Sequence, residues 1–222
     1  MGGALIVGIL LAALAVRLDG TPIMNAHHQM QLTRGLVIGQ LISYAPILAI
    51  ALTLLPSAAC RSLSALGLRA PRFRDIGIGI IGALAMYVVA GLAAVLQAKL
   101  FHIAGKQQAV ALFSTTHDET LILGMVAIAV FFAPFVEELV FRGFFFNALL
   151  RRMPVGFAIA LDGIIFGAAH FDPNASFPLM CGGMVLAAVY YRTGSLAASM
   201  FTHGTFNFIS VVLVLASGGK LS

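Results

Sequence analysis

The stretch Phe131-Phe132-Ala133-Pro134-Phe135-Val136-Glu137-Glu138-Leu139-Val140-Phe141-Arg142 sets two adjacent carboxylates in an otherwise oily run. A carboxylate at membrane depth costs about 2.5–3.5 kcal/mol even on the mildest insertion scale. Two side by side also repel one another. A chain that carries such a pair needs compensating groups nearby. An ionisable residue at that depth is a functional-site hypothesis by default.

The rest of the chain makes membrane depth the natural reading. Of 222 residues, 60% are hydrophobic and 9% are charged, against about 25% charged in a soluble domain. Too little polar surface remains to coat a water-soluble fold. The expected fold class is all-α: a polytopic transmembrane helix bundle with its active site within the membrane. Residues 1–222 are expected to form one membrane domain. The net charge of +5 is spread over short loops and helix ends. No loop packs basic residues densely with aromatics, so nucleic acid is not an expected partner; the lipid bilayer is. Cys60 and Cys181 form no CxxC and no zinc spacing, and they read as inert thiols.

A span needs about 20 apolar residues, and helix is the spanning structure that satisfies every backbone polar group within one segment. Seven segments qualify, at 2–17, 35–56, 75–98, 120–150, 155–171, 177–191 and 195–216. The first resembles a signal h-region but lacks a basic leader and an obvious cleavage site; it reads as a short membrane helix, with a retained or cleaved anchor as the lesser option. The fourth is long and is expected to tilt or kink at Pro134, which lacks a backbone donor. Arg61, Arg69, Arg72, Arg74, Arg151, Arg152 and Arg192 fall on one side. Arg17, Arg34, Lys99, Lys106 and Lys220, with Asp118 and Glu119, fall on the other. The positive-inside rule puts the first set in the cytoplasm.

Spacing then groups the polar residues of the spans. Glu138 and Arg142 are i, i+4 and can pair on one face; Glu137 is rotated about 100° away. His203 and Asn207 are also i, i+4. Counting about 1.5 Å per residue from the cytoplasmic helix ends, Glu137, His170, His203 and Asn207 reach heights of roughly 21, 24, 16 and 22 Å. Arg142 and Asp162 match each other lower down, at about 13 and 12 Å. This predicts a carboxylate, two imidazoles and an amide near one level, above a supporting cluster of Glu138, Arg142 and Asp162. Each has a bland reading: an intrahelical histidine bond, interhelical polar glue, a structural salt bridge. For Glu138, Arg142 and Asp162 the structural role is the expectation. For the other four the bland reading must be invoked four times at one depth. Ser199 and Thr202 read as helix glue, and His27, His28, His102 and His117 as solvated loop residues.

No serine or cysteine nucleophile has a base beside it. A carboxylate near an imidazole can orient and deprotonate a water. A histidine and an asparagine on one helical face can donate to the oxyanion that forms when water attacks a carbonyl. The set fits hydrolysis of an acyl bond, most naturally a peptide bond.

Glu137-Glu138-x-x-x-Arg142, Phe166-x-x-x-His170 and His203-x-x-x-Asn207 resemble, in order, the three motifs of the type II CAAX prenyl endopeptidases. This is also called the CAAX protease and bacteriocin-processing (abortive-infection, ABI) family of intramembrane glutamate proteases. Ala133-Pro134-Phe135-Val136, Phe141-Arg142-Gly143 and Tyr190-Tyr191-Arg192-Thr193-Gly194-Ser195 match in context. The resemblance covers about residues 120–210, which it implies are the catalytic core; residues 1–119 match only in being hydrophobic and are expected to form N-terminal transmembrane helices. It implies Glu137 as the water-activating carboxylate and His170 as its partner. His203 and Asn207 would stabilise the oxyanion, with Glu138 and Arg142 in support. Asp162 departs from the small or hydroxylated residue usual in the family, so its pairing with Arg142 is an expectation of this chain alone. The implied substrate is a peptide or a lipidated protein, since eukaryotic members cut prenylated CAAX proteins. The implied setting is a prokaryotic cytoplasmic membrane.

Three other readings stand beside the metal-independent peptidase. In a metal-assisted variant, Glu137, His170 and His203 hold zinc with one open position, although the chain lacks HExxH. A non-enzymatic immunity or partner-binding protein would use the cluster for recognition. A small transporter would relay protons through it, although no internal repeat is visible.

Overall fold

In a computed structural model the chain is a bundle of helices joined by short connections. The structure describes residues 2–22, 24, 30–58, 63–103, 108–113 and 115–217. Of the residues singled out above, His27, His28, Cys60, Arg61, Lys106 and Lys220 lie outside the described residues. In chain order the helices are α1 Gly2–Asp19, α2 Arg34–Ala58, α3 Phe73–Phe101, the short α4 Gln108–Phe113, α5 Glu119–Leu150, α6 Val155–Ala168, α7 Ser176–Thr193 and α8 Leu196–Ala216. Every apolar segment read from the sequence is one of these helices. By length and composition α3, α5 and α8 can each cross a bilayer, and Arg34–Ala49 and α6 are shorter apolar helices.

The side chains sort as a membrane protein requires. Along α3, Ile80, Ile81, Leu84, Val88 and Leu92 point outward, while Gly79, Gly82, Ala83, Met86 and Ala93 are buried. Leaving such an aliphatic side chain in water forgoes about 1.5–3 kcal/mol; acyl chains solvate it without that loss. Lipid provides no hydrophobic drive between helices, so close packing over small residues holds the bundle. The α6–α7 crossing shows this: a Cβ on Gly183 would lie 3.0 Å from the Cα of Gly163. α3 packs against α7 and α8, and α1 packs against α2.

α5 differs from the simple kinked helix expected at Pro134. Its turns are widened to π geometry at Ile128–Phe132 and again at Leu139–Phe146, with an α-helical stretch Ala133–Glu138 between them. Pro134 has no N–H for the carbonyls four or five residues before it, Val130 and Ala129. Asn207 on α8 donates to Ala129 O at 2.8 Å. In the second widened stretch the Asn147 amide donates to Arg142 O at 2.8 Å and Gly143 O at 3.0 Å. Side-chain amides thus take carbonyls of both stretches, as the bilayer demands. Widened turns of this kind recur at functional sites, and here they bracket the two glutamates.

The end of the bundle that holds Arg69 and Arg192 is tied together. Tyr190 donates to Leu66 O at 3.0 Å, and Leu196 N to Gly67 O at 3.1 Å. Gly67, at φ +78°, lies so close to the carbonyl of Gly194 that a Cβ would collide with it. Arg69 makes a bidentate pair with buried Asp75 at 2.8 and 2.9 Å, and Asp75 also accepts from Arg72 N at the start of α3.

Candidate active site

The two adjacent glutamates face different surroundings, as their 100° separation requires. Glu138 is fully buried. Its Oε1 accepts from Arg142 Nη1 at 3.0 Å and lies 3.0 Å from His203 Nδ1, and its Oε2 accepts from the Ser199 hydroxyl at 2.5 Å. Arg142 is also fully buried. Its Nη2 donates to Gly183 O at 2.7 Å, its Nε lies 3.4 Å from Asp162 Oδ2, and its guanidinium stacks 4.6 Å from the Phe166 ring. The Arg142–Asp162 contact is an ion pair without hydrogen-bond geometry. The structure therefore brings Glu138, Arg142 and Asp162 together, with the one guanidinium between the two carboxylates. Burying them unpaired would cost several kcal/mol per ion.

Glu137 turns to a cavity of about 600 Å³. Its Oε2 lies 3.9 Å from His170 Nε2 and 4.0 Å from His203 Nε2. Its Oε1 accepts from the Tyr44 hydroxyl at 3.3 Å, while Oε2 is buried without a hydrogen-bond partner. The structure thus brings together Glu137, His170 and His203, the carboxylate and two imidazoles expected at one level. Asn207 lines the same cavity, one helical turn from His203, with one amide hydrogen committed to Ala129 O.

His170 is carried by a different local structure from the expected helix end. α6 stops at Ala168, three residues short of the predicted span. His170 sits in the turn beyond it, closed by His170 N to Gly167 O and Phe171 N to Ala168 O, with Phe171 at φ +50°. Fourteen helical residues reach only about 21 Å, and His170 lies beyond the last of them, within 3.9 Å of Glu137.

Both rings are oriented through Nδ1. His170 Nδ1 meets Phe166 O at 2.8 Å, and His203 Nδ1 meets Glu138 Oε1. A carbonyl or carboxylate oxygen only accepts, so Nδ1 carries a proton in each ring and Nε2 faces Glu137. Buried Phe166 packs against both rings, its centroid 4.8 Å from that of His170 and 5.7 Å from that of His203. Zinc ligands about 2.0–2.2 Å from one tetrahedral ion lie roughly 3.4 Å apart, so the trio as it stands is more open than a cage. Among the described residues no set of three or more His, Cys, Asp or Glu is arranged to hold a metal ion.

Gly204 sets how near His203 comes. A Cβ there would fall 2.7 Å from Val130 O, in the first widened stretch of α5. Two contacts were not anticipated from sequence. Ser199, read as glue, bonds a carboxylate. Tyr44 sits on α2, well before the motif region, where only hydrophobicity was legible.

Residues 119–209 match the family model described as Type II CAAX prenyl endopeptidase Rce1-like. The chain is 30% identical over 96 residues to an uncharacterized protein of Mycoplasma capricolum, and 29% identical over 91 residues to a Bacillus subtilis protein named "Putative membrane peptidase YdiL". Each match covers 41% of this chain, with 28% and 37% of the respective relatives. The chain thus spans well under half the length of either. No solved structure matches it. The motif resemblance and the family match therefore coincide over residues 119–209.

Proposed function

We propose that this chain, whose residues 119–209 match the type II CAAX prenyl endopeptidase family, is an intramembrane endopeptidase that activates water between Glu137 and His170. The observation that carries the reading is the convergence of Glu137 Oε2, His170 Nε2 and His203 Nε2 within 4.0 Å at the wall of one cavity. A gap of 3.9 Å suits a water holding two hydrogen bonds of ordinary length. That water gives one hydrogen to Glu137 and the other to the bare Nε2 of His170, which leaves its oxygen lone pair for a carbonyl carbon.

Attack forms the carbon–oxygen bond as Glu137 takes the proton. The resulting oxyanion accepts from Asn207 and from His203 Nε2. For His203 to donate there, its ring carries both protons, and ionised Glu138 balances that charge from the Nδ1 side. Collapse breaks the carbon–nitrogen bond, and Glu137 returns the proton to the departing amine. Glu138, Arg142, Asp162 and Ser199 touch no reacting atom and hold the His203 ring and the Glu137 helix in place. The substrate class is a peptide or lipidated protein that reaches the cavity from the bilayer. Residues 120–210 form the catalytic core of a single membrane domain in a prokaryotic cytoplasmic membrane, with Arg69, Arg151 and Arg192 at the cytoplasmic face. Proteomics of membrane-proximal termini tests the reading. Cells producing the wild type carry new termini that are missing from cells producing Glu137→Gln; identical sets contradict it. Full biological function of the Glu137→Gln, His170→Ala double variant would favour the non-enzymatic binding role instead.

A further inference from the structure

We infer that Tyr44 on α2, outside the family-matched segment, is a positioning residue that fixes the rotation of the Glu137 carboxylate; this rests on the endopeptidase reading above. The carboxylate has two faces of different use. Oε2 points at both imidazoles and is buried with no hydrogen-bond partner. Oε1 accepts from the Tyr44 hydroxyl at 3.3 Å. A glutamate side chain turns freely about its last torsion. With Oε1 pinned, Oε2 can only face the rings, and the second lone pair of the base is kept off the water. Without the hydroxyl the carboxylate is free to turn toward other polar groups of the cavity wall, such as Gln40 and Ser43 on the same helix as Tyr44.

The chemistry of the pin also fits. A phenol hydroxyl can donate to a carboxylate from an aromatic body that is at home in an apolar wall. Lysine or arginine there would neutralise the base, and serine would not reach as far. α2 touches α5 along the widened stretches, so the wall that carries Tyr44 is packed on the helix that carries its target. The catalytic unit therefore extends beyond residues 120–210 to include α2.

The test uses the full chain purified in detergent, with a quenched-fluorescent peptide bearing a farnesylated cysteine near its C-terminus as probe. Tyr44→Phe is expected to lower kcat about 10- to 100-fold, the cost of a misplaced catalytic group, with KM changed less than about twofold. Ile47→Ala, one turn along α2 in the same cavity wall, is expected to move KM and not kcat. In the infrared carboxyl region, the band that disappears in Glu137→Gln is expected to shift in Tyr44→Phe and to stay put in Ile47→Ala. An unshifted Glu137 band overturns the proposal, with or without turnover. So does an equal kcat loss in Ile47→Ala, which would make α2 packing the cause. If Glu137→Gln keeps wild-type turnover, or the wild type leaves the probe uncut, the endopeptidase reading fails on this probe and the infrared result alone decides on Tyr44.

Discussion

His203 Nδ1 and Glu138 Oε1 lie 3.0 Å apart, so the second glutamate of the pair, buried and facing away from the cavity, decides which nitrogen of His203 looks into it. Glu138→Gln keeps the shape but cannot accept from Arg142, Ser199 and His203 with a full negative charge. Hydrogen bonds to charged groups are worth about 1.5–3 kcal/mol. Peptide cleavage by Glu138→Gln is expected to fall about 10- to 100-fold while Glu137 remains in place. Unchanged kcat would remove Glu138 from the account.

Arg142 uses three directions of its guanidinium at once, toward Glu138, Asp162 and Gly183 O. A lysine ammonium has no rigid fork and cannot hold all three. Arg142→Met, which leaves Glu138 and Asp162 without their buried counter-charge, is expected to cost about 3–5 kcal/mol of stability, and Arg142→Lys, which keeps the charge, less than that. Loss of the thermal transition in detergent, or a large fall in its midpoint, checks this. The double variant Arg142→Met, Asp162→Leu should be less damaged than Arg142→Met alone, because it strands fewer buried charges.

Gly204 and Gly143 offer a paired comparison. A methyl group at Gly204 would meet Val130 O at 2.7 Å, whereas at Gly143 its nearest neighbour is a leucine methyl at 3.5 Å. Gly204→Ala is expected to push His203 off Glu137 and cut turnover about 100-fold. Gly143→Ala is expected to stay within about threefold. Cleavage rates of the two purified variants decide it.

Asn207→Ala frees Ala129 O and removes a donor from the cavity. The unsatisfied carbonyl costs about 1–3 kcal/mol of stability, and a lost oxyanion donor costs about 10²–10³ in kcat. Asn207→Asp keeps the size and removes the donor, so it should show the kcat loss as well. Near-normal kcat in both variants would leave Asn207 with only its role in capping the widened turn.

Much of this was legible because lipid simplifies sequence. A run of apolar residues long enough to span is a helix, and a fixed rise per residue turns position into height. That arithmetic anticipated the Arg142–Asp162 pairing and the meeting of Glu137, His170 and His203. It could not anticipate the widened turns of α5, since side-chain periodicity does not encode which carbonyl each N–H selects. Pro134 was the one hint, and its missing N–H fits a repaired wide turn as well as the expected kink. Tyr44 was hidden for another reason. A tyrosine in an apolar helix carries no spacing signal, and its partner lies 93 residues away. Ser199 was visible but ambiguous, because a serine on a membrane helix more often bonds its own backbone.

The most direct test is the cleavage rate of purified Glu137→Gln beside the wild type, each with and without a strong divalent-metal chelator, on the farnesylated peptide. We expect at least about a 10³-fold loss in Glu137→Gln and an undiminished wild-type rate in chelator. Cleavage by Glu137→Gln near the wild-type rate would contradict the central claim. Abolition of wild-type activity by chelator, restored by added zinc, would transfer the chemistry to a metal.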